Sequence, residues 1–231
     1  MDWKEAGRAY LLDLMVRMAH HSTAIEGNTL TLGDTRTILI NGIVPRTTKL
    51  RELWEVLNYK ELVPYLMEHA SENISLAMIQ DINGILMQHI DRRGGHFKEA
   101  ENMIIGASFV PTHPSQVPQA LTQWCDNLSY RLNHAASETE KVEAIMDQHI
   151  RFERIHPFAD GNGRTGRALM IHSCMQQGLV PIVIEKEQRD EYIMLMNRED
   201  TAGLTEMALA LQKKEAERMA LFAQSTEDTD D

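Results

Sequence analysis

The chain has 231 residues, enough for one domain with an added element and for a core that needs no disulfide or metal support. Its 23 basic and 34 acidic side chains give a net charge of −11, which argues against nucleic-acid binding through a basic surface. Two cysteines, Cys125 and Cys174, are too few for a disulfide framework or a metal-ligand motif.

Hydrophobic spacing predicts an almost entirely helical protein. The predicted helices cover residues 3–26, 32–40, 50–69, 75–90, 117–133, 138–155, the stretch from a glycine-rich loop to 177, 188–198 and 204–223. Two segments break this pattern. The triplets Met103-Ile104-Ile105 and Ser108-Phe109-Val110 flank Gly106 and predict a short β-hairpin. The apolar run 180–184 could be extended.

Other features of the sequence bear on where the protein is found in the cell and on its C-terminal residues. No apolar run is long enough to span a bilayer, and the N-terminus lacks the basic region and cleavage site of a signal peptide. We therefore expect a cytoplasmic protein that does not enter membranes. Residues 224–231 are polar and acidic, and we expect a disordered tail there.

The most informative stretch is 156–167, which reads HPFADGNGRTGR and leads into a predicted helix. Glycines at a helix N-terminus let backbone N–H groups approach an anion, and the helix dipole favours negative charge there. Arg164 and Arg167 are three residues apart and share one helix face, and guanidinium groups suit phosphate oxygens. The stretch therefore predicts a polyphosphate site with an acid or base, His156, at its edge.

Two other interpretations compete. Gly161, Gly163 and Gly166 also spell the G-x-G-x-x-G dinucleotide fingerprint, but that motif needs a buried strand before the loop. Residues 148–155 are charged and helix-periodic instead. Alternatively, Pro157 only breaks a helix and Asp160 only caps one, which does not explain two arginines and a histidine in the same loop.

The stretch 156–167 resembles the signature of the Fic (Fido) proteins, H-P-F-x-[D/E]-G-N-G-R-x-x-R, at every specified position. The resemblance extends over about 75–200. It implies an all-α, Fic-type helical bundle with a small β-hairpin flap, the core covering 29–223 and the flap lying near 102–114. It also implies a protein AMP transferase, which moves AMP from ATP to a Ser, Thr or Tyr hydroxyl of a target protein.

The resemblance assigns a role to each matching residue. It makes His156 the general base and Asp160 the ligand of Mg²⁺, and it places the target protein as an added strand on the flap. Phe97 and Lys98 stand where the family normally has a Tyr-Arg pair, which puts a family role for position 98 in doubt. The ATP-binding residues would be Gly161, Asn162 and Gly163 as the anion hole, Arg164 and Arg167 at the outer phosphates, and Tyr192 and Asn197 at the nucleoside.

A second motif lies at Ser22, Glu26 and Gly27, which match [S/T]-x-x-x-E-[G/N]. A carboxylate at the C-terminal end of a helix faces the negative end of the dipole, a mismatch that costs up to about 1 kcal/mol and suggests a partner. The motif resembles the inhibitory helix of Fic proteins, here within residues 1–28. By that resemblance Glu26 pairs with Arg167, so that ATP binds with its α-phosphate misaligned.

Several alternatives stay open at this stage. Glu26 could orient water for removal of AMP, the transferred group could be another nucleotidyl or phosphoryl group, or the chain could be a non-catalytic, nucleotide-sensing interaction protein. Dimers that mask the active site occur in the family, which leaves a homodimer open. The sequence identifies neither the target protein nor the modified residue.

Overall fold

The computed structural model describes residues 7–102 and 109–227. The predicted all-α class is confirmed, because the regular elements of these residues are helices. None of the helices in the described ranges is long and apolar enough to cross a membrane. The helices are α1 Arg8–Ile25, α2 Leu32–Arg36 with a π-helical continuation Thr37–Asn41, α3 Leu50–Leu57, α4 Tyr59–Glu68, α5 Leu76–Met87, α6 Val117–His134, α7 Glu138–Ile155, α8 Asn162–Gln176, α9 Arg189–Arg198 and α10 Thr201–Glu227.

Helices α7 and α8 form the centre of the fold. Helix α7 begins at an N-cap, where the Ser137 hydroxyl accepts a hydrogen bond from the Glu140 amide, and it packs against α6, α8 and α10. Helix α8 is buried on nearly all sides and also contacts α1 and α5. A helix with no solvent face can keep polar side chains only where they are paired, which places unusual demands on the arginines at its start.

Helix α1 is part of the core. It buries Leu14, Met18 and Ala19 and packs against α2, α3, α4 and α8. At its outer side the Arg17 guanidinium donates two hydrogen bonds to Glu215 of α10, at 2.6 and 2.7 Å. This packing and the ion pair with Glu215 hold the C-terminal end of α1 beside α8.

Three further segments of the predictions can be compared with the structure. The predicted hairpin near 102–114 falls mostly on 103–108, outside the described residues, and the described residues beside that gap form no strand ladder. Helix α10 continues to Glu227, so the tail that we predicted from 224 begins with helix. Residues 180–184 belong to no regular element.

Candidate functional site

The loop between α7 and α8 is held by its own backbone contacts. His156 ends α7 in the left-handed conformation, with φ of 48°, and Pro157 cannot continue the helix. The Asn162 side chain accepts from the Phe158 amide and donates to the Phe158 carbonyl, both at 2.9 Å. The Lys98 amide donates to the Pro157 carbonyl at 2.8 Å. The loop is therefore braced from both sides before any ligand binds.

Asn162 was predicted to line an anion hole. Its side chain is 2% exposed and turns inward to Phe158. The anion-binding capacity at this position therefore lies in the backbone N–H groups at the start of α8, which have no intrahelical acceptor.

Each glycine of the loop is required for a different structural reason. Gly161 has φ of 80°, a conformation that glycine adopts without strain, and a β-carbon there would lie 2.7 Å from the Met87 sulfur. A β-carbon at Gly163 would collide with the Glu26 carboxylate, and one at Gly166 with the Glu153 carboxylate. Two of the three glycines thus make room for acidic side chains that approach α8.

His156 is suited to act as a base. Burial, helped by the nearby Lys98 charge, lowers the pKa of its imidazole to about 4. The ring is therefore neutral near pH 7 and can accept a proton. Glu153, one turn earlier, places a carboxylate oxygen 4.0 Å from Nδ1 of His156.

Asp160 presents an ionised carboxylate at the N-terminus of α8. Burial raises the pKa of this carboxyl, but hydrogen bonding by Arg51 and the charge of Arg164 outweigh burial and hold the pKa below its usual value. The described residues hold no group of three or more metal-ligating side chains. A single carboxylate still fits Mg²⁺, which usually binds proteins through one or two carboxylates together with substrate phosphates.

The two arginines of α8 are buried and paired with acidic groups. Arg164 lies 3.3 Å from an Asp160 oxygen and 3.6 Å from an oxygen of Glu55. Arg167 donates to the Glu26 carboxylate at 2.7 Å. The predicted inhibitory pair is thus a contact in the structure.

Ser22 and Gly27 complete that contact. Arg167 also donates to the Ser22 hydroxyl at 2.9 Å and to the Ser22 carbonyl at 2.8 Å, so Ser22 and Glu26 together supply three acceptors to one guanidinium. Gly27 has φ of 98°, which lets the chain turn away immediately after Glu26.

One cavity of about 290 Å³ brings together Glu26, His156, Gly163 and Arg167. Tyr192 and Asn197, predicted to contact the nucleoside, both line it. Tyr192 is buried, and its hydroxyl shares a 2.6 Å hydrogen bond with His149. The cavity is lined by Ile25, Glu26, Phe109, Ile150, Glu153, Arg154, His156, Gly163, Arg167, Arg189, Tyr192, Ile193, Met196 and Asn197.

Comparison with known proteins identifies this arrangement. The model of the Fic/DOC family matches residues 73–174, which include α5 to α8 and the loop. The chain belongs to the Fic/DOC family.

Relatives agree with the Fic assignment. The chain is 32% identical over 180 residues to "Protein adenylyltransferase Fic" of Drosophila yakuba, covering 75% of this chain and 34% of the relative. It is 30% identical over 189 residues to the protein of the same name in Aedes aegypti, covering 77% and 35%. The chain thus spans about a third of the length of these relatives.

Solved structures share the fold of this chain. A Fic-1 structure from C. elegans is 25% identical with a TM-score of 0.80, covering 94% of this chain and 65% of that one. A Fic-domain signaling protein from Bacteroides thetaiotaomicron is 20% identical with a TM-score of 0.81, covering 90% and 87%.

Sequence reasoning missed four polar residues around the Fic loop. Asn83 of α5 donates to the Asp160 carbonyl at 3.1 Å, Glu153 faces His156 and Gly166, and Arg51 and Glu55 of α3 approach from a distant part of the chain. Only Glu153 had a readable signal, since it lies one turn before His156 on the same helix face.

Proposed function

We propose that the chain transfers AMP from ATP to a Ser, Thr or Tyr hydroxyl of a target protein, and that Glu26 suppresses this activity. The observation that carries the proposal is the cavity in which neutral His156, the N-terminus of α8 and Arg167 converge. The adenylyltransferase names of the relatives support the choice of reaction.

The site offers a route for each part of this reaction. His156 accepts the proton of the target hydroxyl while the hydroxyl oxygen attacks the α-phosphorus. The bond from that phosphorus to the bridging oxygen breaks, and pyrophosphate leaves. Backbone N–H groups at the start of α8 hold the inner phosphates, and Arg164 and Arg167 hold the outer ones.

Asp160 would hold Mg²⁺ at the same end of the helix. The charge of that ion would stabilise the negative charge of the phosphate oxygens during transfer. Hydrogen bonding by Arg51 and the charge of Arg164 favour the ionised form of Asp160, and its side chain is 37% exposed, so an ion can reach its carboxylate without unfolding of the loop.

Glu26 acts by occupying Arg167. A guanidinium that already binds a carboxylate and Ser22 cannot also grip the outermost phosphate in the geometry needed for transfer. A displacement of about 1 Å at the reacting atoms can lower a rate about 100-fold. Nucleotide binding and self-inhibition are therefore compatible.

The remaining partners follow from the same proposal. The nucleoside would contact Tyr192 and Asn197 in the cavity. The target protein would dock along the flap near 102–114, where backbone pairing can position a hydroxyl with little demand on side-chain sequence.

The test is mass spectrometry of cell extract incubated with ATP and the Glu26→Gly protein. We expect an AMP adduct on target hydroxyls or on the protein itself, at a level about 10- to 100-fold above wild type. Glu72→Gly is the matched control, because it removes an exposed carboxylate from the turn between α4 and α5. The double variant Glu26→Gly with His156→Ala should show no adduct.

Two results would change the proposal. Absence of any adduct from Glu26→Gly with ATP or the other common nucleoside triphosphates would contradict a transferase. Removal of AMP from a labelled target by wild type, with loss of that removal in Glu26→Gly, would instead assign Glu26 to a hydrolytic reaction.

A further inference from the structure

Arg51 of α3 covers the carboxylate that is expected to hold the metal ion. Its Nη2 lies 2.6 Å from Oδ2 of Asp160, although the two residues are 109 positions apart in the chain. This oxygen is distinct from Oδ1, which accepts from the Gly161 amide at 2.6 Å and lies 3.3 Å from Arg164. Oδ2 is therefore the outward oxygen of Asp160, and a cationic side chain already occupies it.

Arg51 has a second carboxylate within reach. Its Nε donates to Oε1 of Glu55, one turn later on α3, at 3.1 Å. If Arg51 leaves Asp160, it keeps the Glu55 bond, so its displacement leaves no unpaired guanidinium. The Arg51 side chain is also 58% exposed, so the solvent can hydrate its released end.

Glu55 ties this arrangement to the inhibitory segment. Its other oxygen accepts from the Asn28 amide group at 3.0 Å, two residues after Glu26, and its Oε1 lies 3.6 Å from Arg164. Glu55 is 7% exposed. The carboxylate that holds Arg51 is therefore itself buried and fixed in position.

We propose that Arg51 is a positioning residue that competes with the metal ion for Asp160. It neutralises the carboxylate while no metal is bound and withdraws to Glu55 when a divalent cation arrives. Arg51 thereby sets the metal concentration at which nucleotide is held productively. The inference rests on the proposed nucleotide site, and its effect is confined to metal-dependent binding.

The test compares ATP affinity with and without Mg²⁺ by isothermal titration calorimetry. All proteins carry His156→Ala, so that ATP is not consumed. The measured quantity is the ratio of the two dissociation constants, which cancels any effect of Arg51 on the nucleotide alone. An ion pair this exposed is weak, so we expect Arg51→Ala to raise the benefit of Mg²⁺ about two- to fivefold.

Arg93→Ala is the matched control. Arg93 is 70% exposed and pairs with Asp91, and its charge also acts on Asp160 without a contact. It removes one positive charge near the site and should leave the ratio almost unchanged. Adding Asp160→Ala should abolish the effect of Arg51→Ala, because the contested carboxylate is gone.

Three results decide the question. An equal ratio in wild type and Arg51→Ala, with ATP binding intact, overturns the role of Arg51 and leaves the proposed function standing. An equal rise in Arg93→Ala also overturns it, because general charge would then suffice. No ATP binding in any protein, with or without Mg²⁺, overturns the nucleotide site and this inference together.

Discussion

The Fic loop at 156–167 and the segment 22–28, which we propose to be the inhibitory segment, meet at Arg167, but different forces hold them. The loop is fixed by buried hydrogen bonds to its own backbone, among them the Asn162 contacts with Phe158. Glu26 lies just beyond the last residue of α1. Its side chain is 41% exposed and reaches the loop through an ion pair.

The loop is therefore rigid, whereas the contact of Glu26 with Arg167 is exchangeable. Buried hydrogen bonds favour one arrangement of a site, whereas a carboxylate that is 41% exposed can be exchanged on its arginine for another anion. The groups that we propose to be catalytic are already assembled, and the Glu26 carboxylate can be displaced without rebuilding them. Substitutions in the loop should therefore lower stability and activity together, and those in the inhibitory segment should change activity alone.

The largest expected effect comes from Asn162→Ala. The Phe158 carbonyl would keep its hydrogen bond from Asn102 at 3.0 Å, but the buried Phe158 amide would lose its acceptor. We expect a loss of about 2–3 kcal/mol in the free energy of unfolding, measured by urea denaturation. In the Glu26→Gly background, AMP transfer should fall about 100-fold because the loop shifts.

The control for Asn162→Ala is Asn133→Ala, an exposed position near the end of α6. It should change neither quantity measurably. If Asn162→Ala kept full stability while losing transfer, the loop would not be the preformed element that the comparison requires.

The loop could be predicted from sequence because its contacts are local. His156 and Pro157 mark where α7 ends, the glycines mark tight backbone, and Arg164 and Arg167 fall on one turn of α8. The inhibitory pair was reached only through the family resemblance, because Glu26 and Arg167 are 141 positions apart and a helix-end carboxylate alone has many explanations.

Other features depend on burial and on packing between distant helices. Arg51 reaches Asp160 because α3 lies over the start of α8, which no spacing rule gives. The inward turn of the Asn162 side chain and the raised pKa of Glu153 follow from the surroundings of each group. A sequence pattern records residue type and spacing, and these features require the finished core.

A smaller effect, on the pH dependence of stability, should come from Glu153, which is buried next to the loop. Burial raises the pKa of its carboxyl to about 8, although the Arg167 charge acts in the opposite direction. The folded protein therefore holds a proton that the unfolded chain releases above about pH 4.5. This contribution to stability is complete below that pH and is lost as the pH rises through about 8.

Glu153→Gln should remove that pH dependence. Between about pH 5 and pH 6.5, we expect wild type to lose on the order of 1–2 kcal/mol more unfolding free energy than the variant. Urea denaturation at both pH values measures this difference. Identical pH slopes would mean that Glu153 is ionised in the folded state and is balanced by a charge such as Arg167.

The smallest effect should come from Ser22→Ala, which tests the contact between the segment 22–28 and Arg167. The substitution removes the hydroxyl that accepts from Arg167 but leaves the Ser22 carbonyl and Glu26 in place. A hydrogen bond to a charged group contributes modestly, so we expect AMP transfer to rise about two- to fivefold, with little change in unfolding free energy. In the Glu26→Gly background the same substitution should add nothing, because Arg167 is then already free to bind phosphate. If Ser22→Ala alone raised AMP transfer as much as Glu26→Gly does, the Ser22 hydroxyl, and not the Glu26 carboxylate, would be the group that inhibits through Arg167.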